Sequence, residues 1–301
     1  MTTSAATTTP EGNNPGVLQP AAETAAQARR ETIRLIFRSK TVWVGTVILV
    51  FWIVCALFGT HIAPHDAYSQ DLLNHNARPS SQHWAGTDAL GRDVFSRVIV
   101  GARNILLVAP LATLLGTILG TTLGLIMGYF RGLVDDILSR LVEAVLALPL
   151  VIVALMVLAA TGTSNVALVV VIGLVFAPII ARTVRAAVLS EREQDYVTAA
   201  ELRGEKAPYI LFQEVLPNVL PPILVEFTVR VGYAIFAVAT LSFLGFGPQP
   251  PSPDWGAQIN DAYALISAGF WWESLTPAVA IASLVVAVNL IADGLQRAVS
   301  Q

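Results

Sequence analysis

The chain has 301 residues, of which 54% are hydrophobic and only 13% charged, and its net charge is -3. A soluble domain carries about 25% charged residues, so this chain has too few charges to coat a water-soluble core, and its near-neutral balance offers nucleic acid no basic surface. The single cysteine, Cys55, excludes an internal disulfide and any Cys-rich metal site, and its place in an apolar run marks it as a small buried residue.

Residues 1–28 are rich in Thr, Ala, Pro and Gly and contain no apolar block, which predicts a disordered cytoplasmic tail and no cleavable signal. Residues 29–40, RRETIRLIFRSK, predict a basic juxtamembrane helix on the membrane surface. A spanning helix needs about 20 apolar residues. The first is expected at 41–63, closed by Pro64, and an extracytoplasmic segment at 64–103 follows. The rest, 104–298, predicts a core of five further transmembrane helices. The second span is expected at 104–129. Residues 144–181 hold no charge, and at 1.5 Å per residue they would reach roughly 57 Å, nearly twice the hydrocarbon core. They must therefore form two spans, with TGTSN at 161–165 as the turn. The fifth and sixth spans are expected at 222–247 and 275–292.

Lys and Arg set the orientation. Arg29, Arg30, Arg34, Arg38 and Lys40 precede the first span and predict a cytoplasmic N-terminus; six spans return the C-terminus to the same side. The cytoplasmic loops are then 130–140 and 182–221, the second carrying Arg182, Arg185, Arg192, Arg203 and Lys206. The outer loop at 248–273 has no Lys or Arg, whereas Arg78, Arg92, Arg97 and Arg103 in the first outer segment depart from the rule. Trp43, Trp271 and Trp272 are expected as interfacial anchors.

In the second span Gly116, Gly120, Gly124 and Gly128 recur every fourth residue and share one face. Small residues let another helix backbone approach closely, either within the chain or on a second membrane subunit. Glu226 and Arg230 lie four apart in the fifth span, so they can pair with each other or line a translocation path. His61, His65, His75 and His83 cluster in the outer segment with Asp66 and Asp71, a composition able to hold a transition metal. Pro64 breaks the helical spacing of His61 and His65, and no metal site is expected.

The longest cytoplasmic loop reads EREQDYVTAAELRGEKAPYILFQEVLPNVLPP. Asp195 is expected to cap a helix running to Arg203, Gly204 to turn the chain, Pro208 to open the next helix and Pro217 to end it. Tyr196, Ala199 and Ala200 make a small apolar patch suited to docking in another protein's groove.

The spacing Ala199-Ala200, three residues, Gly204, eleven residues, Leu216-Pro217 resembles the EAA loop of ABC import permeases, with Thr198 for the first Glu and Glu214 for an apolar residue. HWAGTDALGRDVFSRVIVGAR at 83–103, LSFLGFGPQPPSPDWG at 241–256 and NLIADGL at 289–295 resemble segments of the dipeptide and oligopeptide permeases, most closely the "C" type of the pair. The resemblance implies an all-α membrane protein with the type I ABC importer permease fold, multi-pass in the bacterial inner membrane. It implies that the loop couples to an ATPase through Tyr196, Ala199, Ala200, Gly204, Leu216 and Pro217. It implies as partners a second homologous permease, two ATP-binding subunits, an extracytoplasmic peptide-binding protein and the lipid bilayer, with no nucleic acid.

The chain itself lacks a GxxxxGK[ST] loop: neither of its lysines, Lys40 and Lys206, follows a glycine. It is therefore expected to be no enzyme and to hold no cofactor, ATP and Mg being bound by the partner subunits. The implied function is a channel subunit that passes short peptides; the same machine carrying nickel or glutathione is the alternative. An ion-driven secondary transporter is the distant rival, with only Glu226 as a mid-membrane acid.

Overall fold

A computed structural model describes residues 39–299. The expected tail at 1–28, and all but the last two residues of the basic stretch at 29–40, lie outside the described residues. Among the described residues nine helices run in the order α1 Lys40–Ile62, α2 Val94–Phe130, α3 Gly132–Leu146, α4 Leu150–Thr161, α5 Asn165–Glu191, α6 Asp195–Leu202, α7 Ala207–Phe246, α8 Trp255–Ala262 and α9 Trp271–Val299, with short 3-10 turns at Leu72–Asn74 and Tyr263–Ala268. Among the described residues no β-strand forms beyond an isolated bridge between Thr87 and Asp93. Among the described residues, helices α1, α2, α5, α7 and α9 are long and apolar enough to cross a membrane, and α3 with α4 passes the same length and composition test only as a pair bent by 85°.

That broken pair corrects the third expected span. The uniform apolar run predicts one straight helix, but α3 and α4 meet at 85°. Proline disfavours helical backbone in the residue before it and lacks an N–H. Leu148-Pro149 therefore ends α3, and Pro149 becomes the N-cap of α4. The 12 residues of α4 rise only about 18 Å, too little to cross unaided. Residues 132–140, expected as loop, belong to α3, which Arg185 of α5 clamps through a two-pronged ion pair with Asp135 (2.6 Å to each oxygen). The expected break after Thr161 does occur: Gly162 ends α4, and Ser164 caps α5 by accepting from the Ala167 N–H.

Helix α2 starts ten residues earlier than expected, at Val94, with Asp93 as its cap. Helix α7 runs straight through Pro217, which the sequence placed at a helix end. The reason lies just upstream, where Ile210–Val215 takes the wider π form. The Leu216 N–H there reaches back to Leu211 O, and such a shift accommodates a residue with no N–H to offer.

The densest packing joins α2 to α5. The four-residue glycine stripe of α2 lies against α5: a Cβ at Gly120 would stand 2.6 Å from Ala177 O, and one at Gly124 2.7 Å from Ala181 O. The stripe is thus spent on a helix of the same chain, with the two backbones in contact.

At one end of the bundle, residues 63–93 fold with α8 and the start of α2 into a lobe. Arg97, 3% exposed, donates to Ala67 O (3.1 Å) and sits 3.7 Å from Asp88, which also pairs with Arg92 at 2.7 Å. Two of the four basic residues that departed from the orientation rule, Arg92 and Arg97, are thus folded into the lobe around Asp88, while Arg78 and Arg103 stay exposed. Trp255 is 1% exposed, donates to Val98 O (2.8 Å) and meets Trp52 edge-on. Asp254 accepts from Asn104 (2.9 Å) and caps α8, and burial pushes its carboxyl above the usual range. Trp43 and Trp271 are exposed at helix ends as interfacial anchors would be, but Trp272 is buried in the lobe against Thr87 O.

Candidate functional site

At the opposite end, α6 and the first turns of α7 form the loop that the sequence singled out. Helix α6 opens on Asp195 as its first helical residue; Gln194 stands at the cap, so Asp195 is not the cap expected. It closes on Gly204 at φ +76°, where the Gly204 N–H donates to Glu201 O (3.0 Å) and the Glu205 N–H reaches back to Ala200 O (3.2 Å). This pair of bonds is a helix stop that requires left-handed backbone, which glycine adopts without steric cost. A Cβ at Gly204 would meet nothing within 4 Å, so the requirement is conformational and not one of space.

The two central alanines separate. Ala200 is fully buried with Val197 against the bundle, whereas Ala199 is exposed. Ala200 is therefore an anchor of the loop and not part of an outward docking face, because α6 turns its i, i+3 edge inward. The outward face is carried by Ala199 and by Leu202, which is 85% exposed, with Tyr209 and Phe212 of α7 also exposed nearby in sequence. Sequence reasoning missed these three large apolar residues. The available signal was Leu202 itself, apolar but out of phase with Val197 and Ala200.

Tyr196 is half-buried and fastens three helices: its hydroxyl donates to Glu191 of α5 (2.6 Å) and accepts from Asn218 of α7 (2.9 Å). Burial first, then the bond to Glu191, pushes its pKa up to about 12. Glu201 lies 3.4 Å from the Tyr129 hydroxyl at the end of α2 and 3.9 Å from Arg192, whose guanidinium covers the Tyr129 ring and donates to the Tyr129 carbonyl. Glu214, a departure from the loop pattern, stands 3.5 Å from Arg203 across the turn. Leu216 is half-buried and Pro217 exposed one helical stretch further on.

Glu226 and Arg230 of α7 are bonded to each other at 2.6 Å, and Arg230 lies over the exposed Tyr233 ring, 5.3 Å from its centre. Glu226 and Arg230 are themselves only partly exposed, while Tyr233 and Phe236 beside them leave an uncovered aromatic stripe on α7. The outer histidines divide: His61 contacts Thr60 and His75 contacts Leu72 O, while His65 and His83 converge on Asp93.

The family model "Binding-protein-dependent transport system inner membrane component" matches residues 120–301, and "N-terminal TM domain of oligopeptide transport permease C" matches 28–79. The dipeptide transport system permease protein DppC of Bacillus subtilis is 38% identical over 271 residues, 88% of this chain and 83% of that one. DppC of Alkalihalophilus pseudofirmus is 37% identical over 96% of this chain and 94% of its own. The glutathione transport system permease protein GsiD of Shigella flexneri is 41% identical over 84% of each. Among solved structures, the inward-facing MetNI methionine ABC transporter aligns with a TM-score of 0.56 at 20% identity, over 68% of this chain and 97% of that one.

Proposed function

The chain belongs to the family of binding-protein-dependent transport system inner membrane components, and on that premise we propose that it carries short peptides through an ATP-driven importer, with the turn at Gly204 as its contact with the ATPase. As a membrane subunit of an ABC importer with the type I fold, it is a multi-pass pore component and not an enzyme. The observation that carries the ATPase contact is the pairing of an anchored inner edge, Val197 and Ala200, with an exposed apolar outer face at Ala199 and Leu202. Leu202 is 85% exposed beside the Gly204 turn, with Tyr209 and Phe212 also uncovered; docking on a partner would bury this group of apolar residues.

In this reading residues 192–221 face the cytoplasm with both termini, and the lobe faces the binding protein outside. Arg192, Arg203 and Lys206 at the loop end support that side by the positive-inside rule. The second permease subunit covers the uncovered stripe of α7, where Glu226, Arg230 and Tyr233 would border the path. ATP and Mg are held by the ATPase subunits. The cargo follows from the relatives named for dipeptides and for glutathione; glutathione, itself a short peptide, is the second reading.

The test is uptake of a labelled dipeptide, and separately of glutathione, by proteoliposomes holding the complete complex. A cysteine at Ala199 in a Cys55→Ala background should crosslink to the ATPase subunit and not to the binding protein. Dipeptide uptake without such a crosslink would separate the cargo from the contact and remove Gly204 from the coupling role. Cysteines at Ser80 and Ser190, both exposed, should be labelled in intact cells only at Ser80 by an impermeant reagent.

A further inference from the structure

All four histidines lie within 61–83, yet the fold gathers only two. His65 follows the turn after α1, His83 sits in the lobe loop, and Asp93 caps α2. His83 Nδ1 stands 2.9 Å from Asp93 Oδ1, and His65 Nδ1 stands 3.8 Å from the same oxygen. Their ring centres are 4.7 Å apart. The carboxylate divides its work: Oδ2 accepts the Ser96 N–H at 2.8 Å as the helix cap, which leaves Oδ1 to the imidazoles. The neighbouring arginines do not compete, since Arg92 and Arg97 are turned to Asp88. Both histidine backbones are held, His65 N–H by Ser96 Oγ and His83 N–H by Ser80 Oγ, each at 3.1 Å.

The geometry points to a binding site for one divalent transition-metal ion of the Zn²⁺ class, held by His65, His83 and Asp93 with its fourth position open to solvent. The ligand atoms of all three residues lie within 4.8 Å of one another. Zinc bonds nitrogen and oxygen at about 2.0–2.2 Å, which places tetrahedral ligands about 3.4 Å apart. The separations of 2.9 and 3.8 Å bracket that value. The approach left to close falls to His65, whose side chain is 41% exposed and has room to turn. Two imidazoles with one carboxylate suit zinc and its neighbours, whereas magnesium and calcium take oxygen ligands. The cap bond fixes the carboxylate from behind, as outer-shell partners do in metal sites. A bound ion would add a bonded link between the exit of α1, the lobe loop and the start of α2.

The test uses the full-length chain in detergent with its affinity tag removed and Zn²⁺ as the probe. One ion per chain should be retained after dialysis and should raise the unfolding temperature in a concentration-dependent way. Co²⁺ should give the visible absorption of a four-coordinate site. His65→Ala and His83→Ala should each weaken binding by more than about tenfold, since even an outer-shell change costs 10–100-fold. His61→Ala and His75→Ala should leave binding unchanged. Asp93→Asn, which can still cap α2, keeps the protein folded while removing a ligand, and should weaken binding as much as the histidine variants. Retention of no ion would overturn the site, as would retention unaffected in the His65→Ala/His83→Ala double variant.

Discussion

In the lobe, the buried Arg97 and Arg92 share the half-buried Asp88, and the Trp255 indole is spent on a backbone carbonyl. Around the Gly204 turn the ion pairs are more exposed, such as Arg203 with Glu214 at 3.5 Å, and Leu202, Tyr209 and Phe212 are left uncovered. The lobe closes its interior but keeps apolar residues on its own rim, such as Leu73 at 94% and Trp84 at 63% exposure; the loop end is a small helix with an anchored inner edge and an uncovered outer face. Substitutions in the lobe interior should therefore cost stability, whereas substitutions on the outer face of the loop should cost coupling with stability nearly intact.

The largest effect is expected in the lobe. Trp255→Ala opens a cavity in a site that is 1% exposed and removes the indole's bond to the Val98 carbonyl, a loss of about 3–5 kcal/mol. It should appear as a collapse in the yield of folded protein and in its unfolding temperature in detergent.

Gly204→Val comes next. At φ +76° a branched side chain is strained by about 1–2 kcal/mol although its Cβ has open space. Membrane insertion should persist while uptake and ATPase stimulation fall together. Normal uptake with an unchanged unfolding temperature would show that the turn is neither strained nor used.

Tyr196→Phe should cost about 1 kcal/mol by removing one donor and one acceptor bond. The sign of its pH dependence is fixed by the raised pKa. The neutral hydroxyl is the bonded donor, so its contribution is whole below the ordinary tyrosine value of about 10. It is lost as pH rises through about 12. Wild-type protein should lose stability over that alkaline window more steeply than the Phe variant.

The smallest structural effect belongs to Leu202→Asp. At 85% exposure it should change stability by less than about 0.5 kcal/mol and yet release the ATPase in co-purification. A marked drop in stability would mean that the leucine is packed within the chain, and the contrast between the two ends would fail.

The sequence made the apolar helices and the Gly204 turn plain, because length, charge and glycine geometry act locally. It hid the rest for identifiable reasons. The bend at Pro149 lies inside an unbroken apolar run, where hydropathy carries no sign of direction. The early start of α2 was masked by Arg97 and Arg103, which look like loop residues until Asp88 is seen beside Arg97. Ala199 and Ala200 are the same residue type, so only the docking of α6 on the bundle could assign one inward and the other outward. His65 and His83 are eighteen positions apart, and no helical or strand spacing connects them.

The glycine stripe has a mechanical consequence. Where α2 and α5 touch backbone to backbone at Gly120 and Gly124, no layer of side chains remains that could shear or compress. The two helices act as one stiff beam. At its loop end Tyr129 and Arg192 tie it to the Gly204 turn, and at its far end Val98 is gripped by Trp255. The compliance left to this pair lies at its own prolines, Pro110 of α2 and Pro178 of α5, and beyond it at Pro149 and in the π turns of α7.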